Sequence, residues 1–233
     1  MMYREFAYQQ IISRYGKPEF AGNRRQFMES LASHLAETSF SVSDYESYSI
    51  EVLLEYITSS HQYYLCRRLP EIEQTIEQLS ALYPTAHPLI LLIKRLFHAY
   101  CTAFRQHIDQ EETELLPYVR ILLACLKNDD PHSIYSFIQH DYRLSEFTDN
   151  HSDTEEGLQQ LCDAIHQYQP PETNASVYRI LLFQLTSFQH DLMLHSQIEE
   201  EVLIPRAIEM ENGLLGKWLS VGASFRNRKT PNH

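Results

Sequence analysis

Apolar residues recur along this chain at the three- and four-residue steps of an amphipathic helix, not in the alternation of a strand. Ile50, Leu53, Leu54, Ile57, Tyr64 and Leu65 make one broad apolar face, in a helix predicted to run toward Tyr83 with a kink or junction at Pro70. Ser43 and Glu46 have the spacing of a capping box at its start. Pro88 suits a first helical turn, and a second helix is predicted from there through Leu92, Leu96, Tyr100, His107 and Leu115 to Pro117, resuming to Leu126. Asn128 to Pro131 is a turn signal, and a third helix carries Asn150 and His151 on through Leu158, Leu161 and Ile165. After a linker at Gln169 to Asn174, the fourth helix spans roughly Ser176 to Met210 and is expected to end at Gly213 and Gly216. Residues 3–40 read as two short helices broken around Gly16 and Pro18.

Long helices in two hairpins predict an all-α protein, an up-down-up-down four-helix bundle over residues 43–212. A short N-terminal helical extension, 1–42, precedes it and a C-terminal tail, 213–233, follows. With 233 residues the chain can bury a substantial core, and only 6 glycines interrupt its helical pattern. No apolar run approaches the roughly 18 residues of a membrane span. The first residues lack the pattern of a secretory signal, so a cytoplasmic location is expected. A net charge of −12 argues against a phosphate-binding face, and no nucleic-acid partner is expected. The four cysteines, Cys66, Cys101, Cys125 and Cys162, form no Cys-x-x-Cys pair and read as reduced thiols.

Chemistry enters through a repeat. His107 to Pro117 and His195 to Pro205, 88 residues apart, both read His-x-x-x-Glu-Glu-x-x-Leu-Leu/Ile-Pro. Residues four apart share a helix face, so His107 with Glu111, and His195 with Glu199, can each approach one metal centre. A single His-x-x-x-Glu is weak, because solvated His/Glu pairs are common on helix surfaces. Its repetition with the same apolar ending is what carries information.

Internal symmetry asks the preceding helix of each hairpin for one further donor. His61 lies 46 residues before His107, and His151 lies 44 before His195. His140, 55 residues before His195, is the alternative to His151 and matches the first hairpin less well. The expected metal ligands are therefore His61, His107, Glu111, His151, His195 and Glu199. Four imidazoles and two carboxylates suit two borderline ions, and iron is the natural choice, with an oxide or hydroxide bridge offsetting further charge. Without metal, inward glutamates would be costly to bury ionised. Tyr63, Tyr64, Tyr100 and Phe188 are candidates to wall the pocket, although core packing is their ordinary role. Glu112, Glu114, Glu200 and Glu201 fall off the ligand face and are expected in solvent. His87, His98, His132, His166 and His190 have no symmetry mate and read as loop or surface residues.

On these residues the chain resembles the hemerythrin-like (HHE) proteins, and among them the iron-sulfur cluster repair (repair of iron centres) family. The resemblance rests on the two repeats, on Asn150-His151-Ser152-Asp153, and on His61 followed by Leu69-Pro70, and covers roughly residues 45–210. It implies a non-haem di-iron centre with four histidines and two bridging glutamates, and a role in recovery of iron-sulfur proteins from nitrosative or oxidative damage. Dioxygen or nitric oxide is then the expected small ligand, damaged iron-sulfur proteins the expected clients, and a homodimer a possible assembly. Two other functions fit the same site: binding or sensing of a diatomic molecule, and reduction of nitric oxide or peroxide. Many members of that family carry an N-terminal domain with an adjacent cysteine pair, whereas this chain has no cysteine before Cys66.

Overall fold

The computed structural model describes residues 9, 11–12, 14, 23–37, 40–82, 88–128, 144, 155–166 and 175–227. Among them every regular element is a helix. We label these α1 (Asn23–Glu37), α2 (Ser43–Glu46), α3 (Ile50–Tyr63), α4 (Leu69–Ala81), α5 (Pro88–Gln110), α6 (Leu116–Asn128), α7 (Glu155–His166), α8 (Ala175–Ile198) and α9 (Ile204–Asn227). None is long and apolar enough to cross a membrane.

Three pairs of these helices are continuous, each joined through one wide π turn: Tyr64–Arg68 between α3 and α4, Glu111–Leu115 between α5 and α6, and Glu199–Leu203 between α8 and α9. The amides of Leu69, Leu116 and Ile204 donate to the carbonyls five residues back, those of Tyr64, Glu111 and Glu199. A proline stands two residues beyond each turn, at Pro70, Pro117 and Pro205. Proline cannot donate, and in a regular helix its ring meets the carbonyl four residues back, here that of Cys66, Thr113 or Glu201. Each of those carbonyls lies inside a wide turn, where the looser winding relieves the clash. The kink expected at Pro70 is therefore one of three such turns among the described residues.

The helices 50–81 and 88–128 run antiparallel. Their cross-contacts step in opposite directions along the two: Glu51 with Lys127, Thr58 with Arg120, His61 with Glu112, and Glu77 with Lys94. α4 packs on α5 and α8, and α7 packs on the same two, which closes a ring of helices. α6 packs on α9, and α1 reaches α8. Buried apolar residues fall into two clusters. One gathers Phe27 and Leu31 of α1 with Leu53, Ile57, Leu115, Leu122, Ile198 and Leu203. The other gathers Tyr64, Ile72, Phe104, Ile108, Leu161, Leu185, Phe188 and Leu192. Along the continuous helices the changeover comes between residues 57 and 64, 108 and 115, and 192 and 194. On the first two of these, buried His61 and Glu111 stand in the gap, and on the third His195 and Glu199 follow it.

Two local expectations are corrected. Ser43 and Glu46 lie in the short α2, whose N-cap Val42 makes no side-chain bond, and the long helix starts only at Ile50 after an extended Ser49. The rings of Tyr45 and Tyr48 are buried against Phe27, at 5.6 and 5.0 Å between centroids, and this packing overrides the capping signal. Gly213 and Gly216 do not end the last helix, which continues to Asn227. Leu214 between them is buried, and its burial offsets the roughly 1 kcal/mol helix penalty of a glycine.

Candidate metal centre

The polar level between the two apolar clusters is built from α3, α5, α8 and the two wide turns that begin at glutamate. His61 is 2% exposed, Glu111 0%, His195 4% and Glu199 2%. One donor atom from each of these four lies within 4.8 Å of every other, a grouping able to hold a metal ion. Glu111 is the centre of it. Its Oε2 lies 3.0 Å from Nε2 of His61, and its Oε1 lies 2.6 Å from Nε2 of His107. The second repeat mirrors the first, with His195 Nε2 3.4 Å from Glu199 Oε2. The rings of His61 and His195 stand 5.1 Å apart, so the two halves of the chain meet here.

Five of the six predicted donors are thus together. His151 and its rival His140 lie outside the described residues, as do His87 and His132. His98 is exposed and His190 half-buried. Glu114, Glu200 and Glu201 face outward as expected. Glu112 does not: its Oε1 lies 2.7 Å from Nδ1 of His61, and only 33% of its side chain is exposed. Reading it as a solvated residue is corrected, because the wide turn starting at Glu111 rotates its successors away from their α-helical directions.

Aromatic rings line the apolar side. Tyr64 meets His195 edge-on at 5.6 Å and Phe188 at 5.4 Å, while Phe104 lies beside His107 at 6.4 Å. Tyr100 stacks on Phe104 one layer further away. Tyr56 and Phe104, which flank His195 and His107, were not among the expected wall residues. Both sit at ordinary core spacing on their helices, so only their position relative to the histidines could have singled them out.

The electrostatics ask for positive charge. Two almost wholly buried carboxylates in an apolar setting are costly unless a cation accompanies them. Burial alone would push the His61 pKa down, but hydrogen bonds to Glu111 and Glu112 and the charges of Glu111 and Glu199 outweigh it and hold it at about 9. The rise is the imidazole's response to the negative charge gathered around it. The imidazole and carboxylate donor set, its spacing and its deficit of positive charge all fit a transition-metal centre.

A second buried charge group stands one turn along α8. Asp191 receives Arg14 Nη1 at 2.6 Å and Arg68 Nη2 at 3.4 Å, and both guanidinium groups lie over the ring of Tyr63, at 5.5 and 5.7 Å from its centroid. The Tyr64 hydroxyl donates to the Asp191 carbonyl. This cluster ties the N-terminal segment and the first wide turn to the helix that carries His195. No cysteine belongs to the group of four, and burial pushes the thiols of Cys101 and Cys162 up to about 11.

Fold and site together define an all-helical protein with a buried His/Glu group able to hold metal. In sequence it is distantly similar to curated proteins named iron-sulfur cluster repair protein ScdA. The one from Staphylococcus haemolyticus (strain JCSC1435) is 20% identical over 151 residues, covering 65% of this chain and 64% of that protein. Those from two strains of Staphylococcus epidermidis are 21% identical over 158 residues, covering 68% of this chain and 66% of theirs. The match thus spans slightly less than two thirds of these relatives. No protein-family model matches the chain. No solved structure matches it either.

Proposed function

We propose that this chain is a non-haem di-iron protein of the hemerythrin-like class that serves the repair of iron-sulfur clusters under nitrosative or oxidative stress. The observation that carries the reading is Glu111, whose two oxygens face two different imidazoles at 3.0 and 2.6 Å inside a buried His/Glu cluster. A carboxylate so disposed is suited to span two ions. His61, His107, Glu111, His195 and Glu199 would hold the metal, and His151 would complete the set from the second hairpin. The closed packing of α4, α5, α7 and α8 supports an up-down-up-down four-helix bundle as the frame. When bound, a pair of irons supplies redox chemistry, affinity for a small diatomic molecule, and iron that can pass to a damaged cluster.

The chain's own residues do the rest. Tyr64, Phe104 and Phe188 exclude water from the inner side and strengthen the pull between carboxylates and cation. His107, 11% exposed, is the least buried of the five donors, and its side of the cluster is the natural route for entry and exit. That edge also favours a second reading, reversible binding or sensing of dioxygen or nitric oxide without loss of iron. The named relatives favour repair.

The test adds anaerobically iron-loaded protein to a cluster-dependent dehydratase inactivated by nitric oxide. Repair predicts recovery of dehydratase activity, and an equal amount of free ferrous iron should give less. With the site fully loaded, no recovery would remove the repair role, and reversible ligand binding would then leave sensing in its place.

A further inference from the structure

The second glutamate of the first repeat has a job of its own. Consecutive residues of the wide turn after α5 stand at the two ring nitrogens of His61: Glu111 lies 3.0 Å from Nε2, and Glu112 is hydrogen-bonded to Nδ1 at 2.7 Å. The ring is nearly inaccessible, so its Nδ1–H needs an acceptor within the protein, and an unmet donor there costs about 1–3 kcal/mol. An ordinary surface ion pair has no such consequence, since both of its groups can turn to water.

We propose that Glu112 is a positioning residue for the metal site. Its carboxylate accepts the Nδ1–H of His61, fixes the ring's orientation, and so commits the Nε2 lone pair to the metal side. This rests on the di-iron reading for its purpose, but the hydrogen bond itself does not. An anionic acceptor behind an imidazole also raises its basicity and strengthens it as a ligand. Glu112 contributes no donor to the buried group of four, and a third of its side chain is exposed. Its action is therefore exerted through His61. The wide turn beginning at Glu111 is what lets two adjacent side chains reach the same ring.

The experiment compares Glu112→Ala, Glu112→Gln and, as a surface control, Glu201→Ala. Chelator competition under anaerobic conditions measures affinity for ferrous iron and for cobalt(II), and the cobalt absorption bands report ligand geometry. Glu112→Ala should bind about 10–100-fold more weakly, with altered cobalt bands. Glu112→Gln, which keeps an acceptor oxygen without the charge, should recover most of that loss, and Glu201→Ala should match the parent. Nitrogen-15 spectra of histidine in the metal-free protein supply an independent readout: the His61 Nδ1 signal should shift in Glu112→Ala and stay near its parent value in Glu112→Gln. Parent-like affinity and an unmoved His61 signal in Glu112→Ala would overturn the proposal. If the parent chain binds no metal, the di-iron reading fails, while the His61 signal still decides whether Glu112 holds the ring.

Discussion

Glu111→Ala is expected to yield a protein that keeps its helices and no longer holds a pair of irons. Glu111 is wholly buried and its two oxygens contact imidazoles from two helices, so its loss removes the link between His61 and His107. Glu199→Ala should lose paired iron in the same way, since Glu199 closes the other half of the cluster. Helix content should change little, because both residues lie within long helices and alanine is the best helix former. Iron analysis beside far-ultraviolet circular dichroism checks this. Glu201→Ala, on the exposed side of the same turn, should retain the full complement. Parent-level iron in Glu111→Ala would mean that the carboxylate does not ligate.

Asp191→Ala has the largest expected effect on stability. The carboxylate stands between two guanidinium groups that share the ring of Tyr63, and its partner side chains Arg14 and Arg68 are themselves mostly buried. Removing one member of a buried ion cluster leaves uncompensated charge, at a cost of about 3–5 kcal/mol. For a chain of this size that is a fall of roughly 10 °C in melting temperature. Asp191→Asn, which keeps an acceptor but loses the charge, should fall between. Because Asp191 lies one helical turn before His195, both variants should also bind metal less tightly. Thermal unfolding of the metal-free protein reads the stability effect without interference from iron, and a loss under about 1 kcal/mol would show that the arginines are satisfied without this carboxylate.

The buried His/Glu grouping was legible because its signal is local or periodic. His107 with Glu111 and His195 with Glu199 share a face at four-residue spacing, and the same apolar ending marks which side is buried. His61 followed from the repeat distance, which holds when two hairpins are built alike. Regular-helix spacing points Glu112 toward solvent, whereas the turn from Glu111 to Leu115 is wider and its carboxylate meets His61. The clue was present in Pro117, whose ring a regular helix would have driven against the Thr113 carbonyl. Asp191 carries no comparable clue, since its partners Arg14 and Arg68 come from distant parts of the chain and only folding brings them together. The end of the last helix was misjudged because glycine was read as a stop, while burial of Leu214 keeps α9 going.

Iron content of the parent chain, purified without oxygen and followed by its optical spectrum before and after nitric oxide, tests the di-iron site most directly. Two irons per chain and a spectrum that changes with nitric oxide are the predicted result. A chain that emerges without iron and takes up none from ferrous solution would leave the buried histidines and glutamates as ordinary internal polar contacts, and the account would be wrong.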